Sequence, residues 1–301
     1  MDTLESMEIF VRVVERGSFS AVAREIGISQ PTISKQISTL EKRLGGRLFA
    51  RSTRKLSITD EGHRYYQQCR AILAAVESAE HTFHTGRERI AGSLRIGSSG
   101  SFGRVQIASR LRGFLELYPE VNVDLQFNDE NVDLVSAGID VAVRIGELKD
   151  SGLIARKIGL ARRRVFAAPD YLVRNGAPLT PTELTHHNCL VFNQLEHFAS
   201  WRFEHKGKWD SVQVSGNVRS NNSEAVRQMV LNGLGVSLSP LWLFRQDLID
   251  GRVVELLKSY SPVALPIHTV TPPDRRQSAR VRAFIDYLRD AFAEDSDICL
   301  D

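Results

Sequence analysis

Cysteine is scarce in this chain of 301 residues, and the three present stand at positions 69, 189 and 299. They are odd in number and far apart, with neither a CxxC pair nor a zinc-like spacing, so a disulfide framework and a structural metal are both excluded. A reducing, cytoplasmic setting is the expectation. No run of 18 apolar residues occurs that could cross a bilayer. The start, Met1-Asp2-Thr3-Leu4-Glu5, lacks the basic stretch and apolar core of a secretory signal. Catalytic signatures are missing as well: there is no GxSxG elbow and no HExxH. Gly97, Gly100 and Gly103 give GxxGxxG, not the GxGxxG of dinucleotide sites. No enzyme activity, cofactor or metal is expected. Cys189 could serve as a redox sensor, but in Asn188-Cys189-Leu190-Val191-Phe192 it reads as a small buried residue opening a strand. His186-His187 reads as solvent-facing.

What is present is an uneven charge. Residues 30–56 hold Lys35, Lys42, Arg43, Arg47, Arg51, Arg54 and Lys55 against the single acid Glu41, a net +6 in a chain whose total is +3. The remainder is therefore net acidic. Within this region two short amphipathic helices meet at a turn. Ser18 caps the first, which turns Phe19, Val22, Ala23 and Ile26 inward, and Gly27 ends it in the left-handed region. Ile28 is expected to plug the turn. Ser29 caps the second helix, with Pro31 in its first turn, and its buried stripe is Ile33, Ile37, Leu40 and Leu44. The opposite face carries Gln30, Thr32, Ser34, Lys35 and Ser38: short hydroxyls, an amide and a cation that can approach a base edge.

These residues carry a family resemblance. Ala21-Val22-Ala23, Ser29-Gln30-Pro31-Thr32-Ile33-Ser34, Leu40-Glu41, Leu44-Gly45, Leu48-Phe49, Arg51 and Leu56-Ser57-Ile58-Thr59-Asp60-Glu61-Gly62 resemble the amino-terminal winged helix-turn-helix of LysR-type transcriptional regulators. The expected DNA-binding residues are Ser29, Gln30, Pro31, Thr32, Ser34, Lys35 and Ser38 on the helix, with Arg51, Thr53 and Arg54 in a basic wing hairpin that reaches phosphate. A helix over residues 3–16 with Leu4, Met7, Phe10, Val11 and Val14 on one face should support them.

Thr59-Asp60-Glu61 starts a long helix toward Thr85, acids at its positive end. Cys69, Val76 and Phe83 recur at seven, interleaved by Ile72 and Ala79, as in the seam of a coiled coil. The resemblance implies the same, a linker helix that pairs subunits so that a homodimer or homotetramer reads a pseudo-palindromic operator. Gly86–Gly92 reads as a hinge.

Beyond it, strands alternate with helices: 94–97, a helix over 102–117 with Val105, Ala108, Leu111 and Leu115 inward, strand 121–127, a short helix over 130–137, and strand 141–145. That order predicts a parallel sheet with right-handed crossovers. A second such unit follows, with strands 164–168 and 190–192, a hairpin within 201–218 and a helix over 221–232. Strand 267–270 and helix 279–293 then return to the first. The expected fold is α/β multidomain. A winged helix-turn-helix spans residues 1–59, a linker helix 60–86 and an effector-binding domain 87–301. By resemblance, that last domain is two-lobed and periplasmic-binding-protein-like, with lobe I at about 92–162 and 267–301 and lobe II at about 163–266.

Ligands of open α/β sheets collect at the carboxyl ends of strands. Ser98-Ser99-Gly100-Ser101-Phe102 sits there, before a helix whose N–H groups suit an anion. Asn221-Asn222-Ser223-Glu224 opens the other lobe's helix and reads equally as a capping box. By resemblance the effector-binding residues are Ser99, Ser101, Phe102, Arg144, Ile145, Asn221 and Asn222, the effector a small organic anion and RNA polymerase a further partner. An enzyme using Ser99 or Ser101, or an architectural DNA binder without effector, are the competing readings.

Overall fold

The computed structural model describes residues 2–50, 56–85, 90–129, 133–148, 150–195, 198–273, 275–276 and 278–300, with the backbone alone at 74 and 77–85. It divides into two compact units, Met1–Gly92 and Ser93–Asp301. No helix among the described residues is long and apolar enough to cross a membrane.

The first unit runs α1 (Thr3–Arg16), α2 (Phe19–Glu25), α3 (Gln30–Leu44), β1 (Phe49–Ala50), β2 (Ser57–Ile58) and α4 (Asp60–Thr85). Each of the first three helices has a side-chain cap: the N–H groups of Leu4, Ala21 and Thr32 donate to Asp2, Ser18 and Ser29 at 3.2, 3.2 and 3.3 Å. Gly27, at φ 72°, makes the left-handed turn between α2 and α3. Phe10, Val13, Val22, Ile33 and Leu40 form the core with Phe49 and Cys69. The Phe49 ring meets Phe10 and Phe19 edge-on at 5.6 and 5.5 Å, which fastens the two-stranded wing base to the helices.

Four expectations shift here. α1 fully buries Ile9 and Val13, while Leu4, Met7 and Val14 are half-buried, because α2, α3 and α4 all pack on it and enclose a wide arc. Ile28 is exposed; the turn is closed instead by its backbone N–H, which donates to the Ala23 carbonyl at 3.0 Å. Leu44 is exposed too, since Gly45 turns the chain away after Leu40. Cys69 is fully buried in its own unit's core and cannot belong to a seam with another subunit, because the first turns of α4 lie against α1. Burial pushes its thiol up to about 11. Ile72 is exposed and Val76 half-buried, whereas the side chains of Ala79 and Phe83 lie outside the described residues, as does the hinge at 86–89.

The second unit begins with β3 (Gly92–Ser98), then α5 (Gly100–Phe102), a π turn over Gly103–Ile107, a 3-10 turn over Ala108–Arg110, and α6 (Leu111–Leu117). The buried apolar side chains of this segment are Phe102, Ile107 and Phe114, not Val105, Ala108, Leu111 and Leu115. The wide π turn, with the Ala108 N–H donating to Gly103 O, rotates the face presented to the core, and the two large aromatic rings claim it. β4 (Val121–Phe127) and β5 (Val141–Ile145) follow. Residues 134–138 form turns rather than a helix, held by the Val135 N–H on Asp133 Oδ1 at 3.0 Å, and residues 130–132 lie outside the described set.

After β6 (Ile154–Ala161) the chain crosses to a second sheet at β7 (Arg163–Ala167). It continues through α7 (Pro169–Asn175), β8 (Val191–Phe192), a hairpin of β9 (Ser200–His205) and β10 (Lys208–Gln213), β11 (Arg219–Ser220), α8 (Ser223–Leu231), β12 (Ser237–Pro240), α9 (Leu241–Ile249), β13 (Val254–Leu256) and β14 (Ser261–Pro262). It crosses back to β15 (Leu265–Thr271) and ends in α10 (Ala279–Ala293), which buries Val281, Phe284, Leu288 and Phe292. α7 and α9 had no counterpart in the sequence reading.

The first sheet has the order β4-β3-β5-β15-β6. β3 and β5 are parallel, but β15 is antiparallel to both neighbours, so the sheet is mixed. β15 arrives from the far sheet and must enter against the direction of the strands already laid down. The second sheet, β12-β7-β13, is antiparallel throughout, and a parallel bridge between Cys189 and Val236 joins it toward β8 and β11. Cys189 is fully buried, its thiol 3.5 Å from the Leu184 carbonyl and pushed up to about 12 by burial, which fits a packing role.

Gly62 is where the fold of the first unit is least forgiving. A Cβ there would stand 2.2 Å from the Leu48 carbonyl oxygen. Replacing a helical glycine by alanine ordinarily gains up to about 1 kcal/mol, but displacing a backbone carbonyl costs about 1–3 kcal/mol. Gly62→Ala is therefore expected to lower the urea midpoint of unfolding; a rise would show that the wing base yields freely.

Candidate functional site

Ser29, Gln30, Pro31, Thr32, Lys35 and Ser38 are exposed and Ser34 half-exposed, all on the side of α3 opposite Ile33, Ile37 and Leu40. The polar groups are pre-arranged among themselves. Ser29 and Thr32 hydroxyls lie 2.8 Å apart, and Gln30 Nε2 donates to Ser34 Oγ at 3.3 Å. Such short contacts between neighbours hold rotamers without removing the groups from solvent.

The one acid of this basic stretch is turned inward. Glu41 Oε1 accepts the N–H groups of Leu48 and Phe49 at 2.8 and 3.3 Å, and Arg47 stands 3.7 Å from its other oxygen. Glu41 thus neutralises little of the exposed face; it ties the end of α3 to β1. Phe49 pairs with Ile58 and Ala50 with Ser57, forming the base of the expected wing. Arg51, Thr53 and Arg54, expected at its tip, lie outside the described residues. Arg43 donates to Thr3 Oγ1 at 2.8 Å and so braces α1.

The second unit holds a cavity of about 160 Å³ lined from both sheets. Ser99, Arg144 and Ile145 of the predicted set line it; Ser101, Phe102, Asn221 and Asn222 do not. Phe102 is core, edge-on to Trp242 and Phe292 at 5.3 and 5.9 Å. Ser101 accepts a hydrogen bond from Ser223 Oγ at 2.8 Å. Asn221 is exposed. Asn222 is the N-cap of α8, its Oδ1 accepting from Ala225 N–H at 2.8 Å. The cap is therefore one residue later than a capping box with Glu224 requires. Glu224 instead pairs with Arg104 at 2.7 Å and Arg227 at 2.6 Å.

The expected anion site at the start of α5 already holds a carboxylate from this chain. Asp129 Oδ1 accepts the Gly100 N–H at 2.9 Å, and its Oδ2 accepts from Asn222 Nδ2 at 2.7 Å. With Ser223–Ser101 and Arg104–Glu224, this forms a clasp between the first sheet's helical segment and α8. Gly97 and Gly103 serve packing, since Cβ atoms there would meet Ile139 at 3.0 Å and the Phe127 ring at 2.2 Å.

Sequence reading missed Arg163. It lines the cavity as the first residue of β7, and burial pushes its guanidinium down to about 10. Burial lowers Arg144 as well. Arg163 Nε donates to the Val263 carbonyl at 2.7 Å, across to the returning crossover. The one available signal was the run Arg162-Arg163-Arg164, whose flanking members are engaged elsewhere: Arg162 donates to Ser296 O at 2.7 Å and Arg164 pairs with Glu255 at 3.0 Å. Among the described residues no three His, Cys, Asp or Glu side chains are grouped to hold a metal ion.

Residues 4–63 match the bacterial regulatory helix-turn-helix proteins of the lysR family, and residues 87–293 match the LysR substrate binding domain. The chain is 35% identical to the HTH-type transcriptional regulator DmlR of Escherichia coli, covering 97% of this chain and 95% of that one. It is 34% identical to an uncharacterised HTH-type transcriptional regulator of Haemophilus influenzae, over 93% of this chain and 98% of the other. Among solved structures, CrgA, a LysR-type transcriptional regulator from Neisseria meningitidis, aligns with a TM-score of 0.61 at 30% identity over 97% and 99% of the two chains.

Glu41 gives this site its sharpest structural test. Glu41→Ala leaves two N–H groups at the α3–β1 junction without their acceptor, each worth about 1–3 kcal/mol when unsatisfied. The expected loss in denaturant unfolding is about 2–3 kcal/mol, with Glu41→Gln recovering part of it because the amide oxygen still accepts. Equal losses for both variants would show that the charge, not the acceptor, matters.

Proposed function

We propose, from the premise that this chain belongs to the family of LysR-type transcriptional regulators, that α3 enters the major groove of a pseudo-palindromic operator. The protein is a DNA-binding transcriptional regulator with a substrate-binding domain for a small-molecule effector, and not an enzyme. In this reading Gln30, Thr32, Ser34, Lys35 and Ser38 meet base edges and nearby phosphates, Ser29 and Pro31 fix the entry of the helix, and Arg51, Thr53 and Arg54 hold the backbone. The observation that carries it is the solvent-facing polar side of α3 in a basic field from which the sole acid, Glu41, has been withdrawn.

Residues 1–59 form the reading head, 60–86 the helix that pairs subunits into a homodimer or homotetramer, and 87–301 the sensor, with lobes meeting near 162 and 266. The effector is a small organic anion in the cavity lined by Ser99, Arg144 and Ile145. Its binding changes the relation between the lobes, hence the spacing of the heads, the bend in the DNA and the contact with RNA polymerase, in the cytoplasm. A ligand that prefers one lobe arrangement about tenfold contributes about 1.4 kcal/mol to that switch.

Electrophoretic shift and footprinting, with and without metabolites, test the assignment. Gln30→Ala or Ser34→Ala should relax sequence preference by about 1–3 kcal/mol at one position. Arg51→Ala should weaken binding to every sequence and reduce the salt slope by about 1. Equal losses on operator and random DNA for all three would remove α3 from the groove. Ser99→Ala should keep operator affinity and abolish the metabolite response; a retained response takes Ser99 out of the pocket.

A further inference from the structure

Two residues that line the cavity, Arg163 and Trp242, carry donor-only groups without an anionic partner among the described residues. Arg163 lines it and, among the described residues, no carboxylate stands within ion-pair distance. Its Nε is committed to Val263 O, which fixes the guanidinium while leaving its two terminal amino groups. Trp242, at the start of α9, also lines the cavity, is only 5% exposed, and its Nε1–H has no partner among the described residues. The two belong to one neighbourhood: Pro240 is the cross-strand partner of Arg163, and Trp242 follows two residues later. An indole N–H can only donate, as can a guanidinium, so their shared complement is an acceptor-rich group. Ser98 Oγ, buried on the same lining and also without a partner among the described residues, adds a further polar group.

The competing place for a charge, the start of α5, is taken by Asp129. A ligand anion entering there would have to displace a carboxylate held by Gly100 and Asn222 and would be repelled by it until it did. An anion at Arg163 and Trp242 displaces no carboxylate, and there the Arg163 charge offsets that of Asp129, which lines the same cavity.

Resting on the reading of this cavity as the effector site, we propose that the effector carries a carboxylate, and that Arg163 and the Trp242 indole N–H hold it. Arg163 is then the specificity-determining residue, and planar bidentate pairing suits it better than lysine. The position has a second consequence. Arg163 opens the outgoing crossover and grips the carbonyl of the returning one, so the ligand's charge lands on the residue that links both chain crossings between the sheets. Recognition and the pairing of the two crossovers share one side chain.

The test uses the full chain labelled with ¹⁵N, in which each tryptophan gives an indole N–H resonance and Trp242→Phe assigns the relevant one. Acetate, benzoate and succinate are titrated against acetamide, benzamide and succinamide at matched ionic strength. At least one carboxylate is expected to move the Trp242 proton downfield, as a hydrogen bond to an anion does, while its amide leaves it in place. Arg163→Gln should weaken that binding about tenfold or more, Arg163→Lys should recover part of it, and Arg164→Gln should leave it unchanged. Silence toward all three carboxylates, equal response to an amide, or an unchanged titration in Arg163→Gln overturns the proposal. Should Arg163→Gln unfold, Trp242→Phe, which keeps an aromatic ring and removes the donor, carries the test by carboxylate-induced thermal stabilisation: full retention overturns it. Failure of the underlying reading looks different, because metabolites would then alter operator affinity alike in wild type and Ser99→Ala.

Discussion

A backbone N–H that leaves regular structure must find an acceptor, and at several junctions of this protein a carboxylate supplies it, two of them beside the candidate sites. Glu41 takes the N–H groups of Leu48 and Phe49 where α3 hands over to the wing, and Asp129 takes that of Gly100 where β3 hands over to α5. Both are charge-assisted bonds, stronger than neutral ones and costly to leave unmade. Glu41 is drawn into the α3–β1 junction beside Arg47 and is turned from the polar side of α3 that carries Lys35. Since Asp129 occupies the helix start, a ligand's charge must look elsewhere in the cavity.

The same economy governs the polar groups that remain. Around the second unit's clasp nearly every group is matched: Ser101 with Ser223, Arg104 with Glu224, Glu224 with Arg227, Arg227 with the fully buried Asp247. A satisfied network fixes geometry and offers little to a newcomer. Against that background Trp242 Nε1 and Ser98 Oγ stand out, since among the described residues neither has a partner, and Arg163 has a carbonyl but no carboxylate; buried polar groups left so are rare in folded chains.

The sequence made the local features legible and left the distant ones dark. Caps at Ser18 and Ser29, the Gly27 turn, the inward Ile33, Ile37 and Leu40, and strands β3, β4 and β5 all follow from residues within a few positions of one another. Ile28 and Leu44 misled because apolar spacing cannot tell a buried position from an exposed one at the end of a stripe. The π turn at Gly103–Ile107 shifted a helical face that an even 3.6-residue period had assigned to Val105 and Leu115. The antiparallel entry of β15 depends on where the chain has been, which periodicity does not record. Likewise the effector site: Asp129 meets Asn222 across 93 positions, and no pattern of short range announces that Gly100 is already satisfied or that the middle of three arginines lines the cavity.

The clasp also bounds what a ligand can accomplish. It already joins the two sheets' helices by three side-chain contacts among the described residues, so this lobe arrangement has an energy of its own. A ligand that fitted the clasped arrangement and an opened one equally would bind and change nothing. Switching therefore needs a contact whose strength depends on the angle between lobes. Groups confined to one sheet, such as Arg144 and Ile145 of β5, move as a body and sense that angle weakly. Arg163, the first residue of β7, ties the outgoing crossover to the returning one through the Val263 carbonyl. Any rotation that separates the two crossovers must lengthen that bond or drag the guanidinium with it. A carboxylate seated on Arg163 prefers one angle only where the rest of the ligand also touches the first sheet's side of the cavity, at Ser99 or Arg144, and so bridges the two sides.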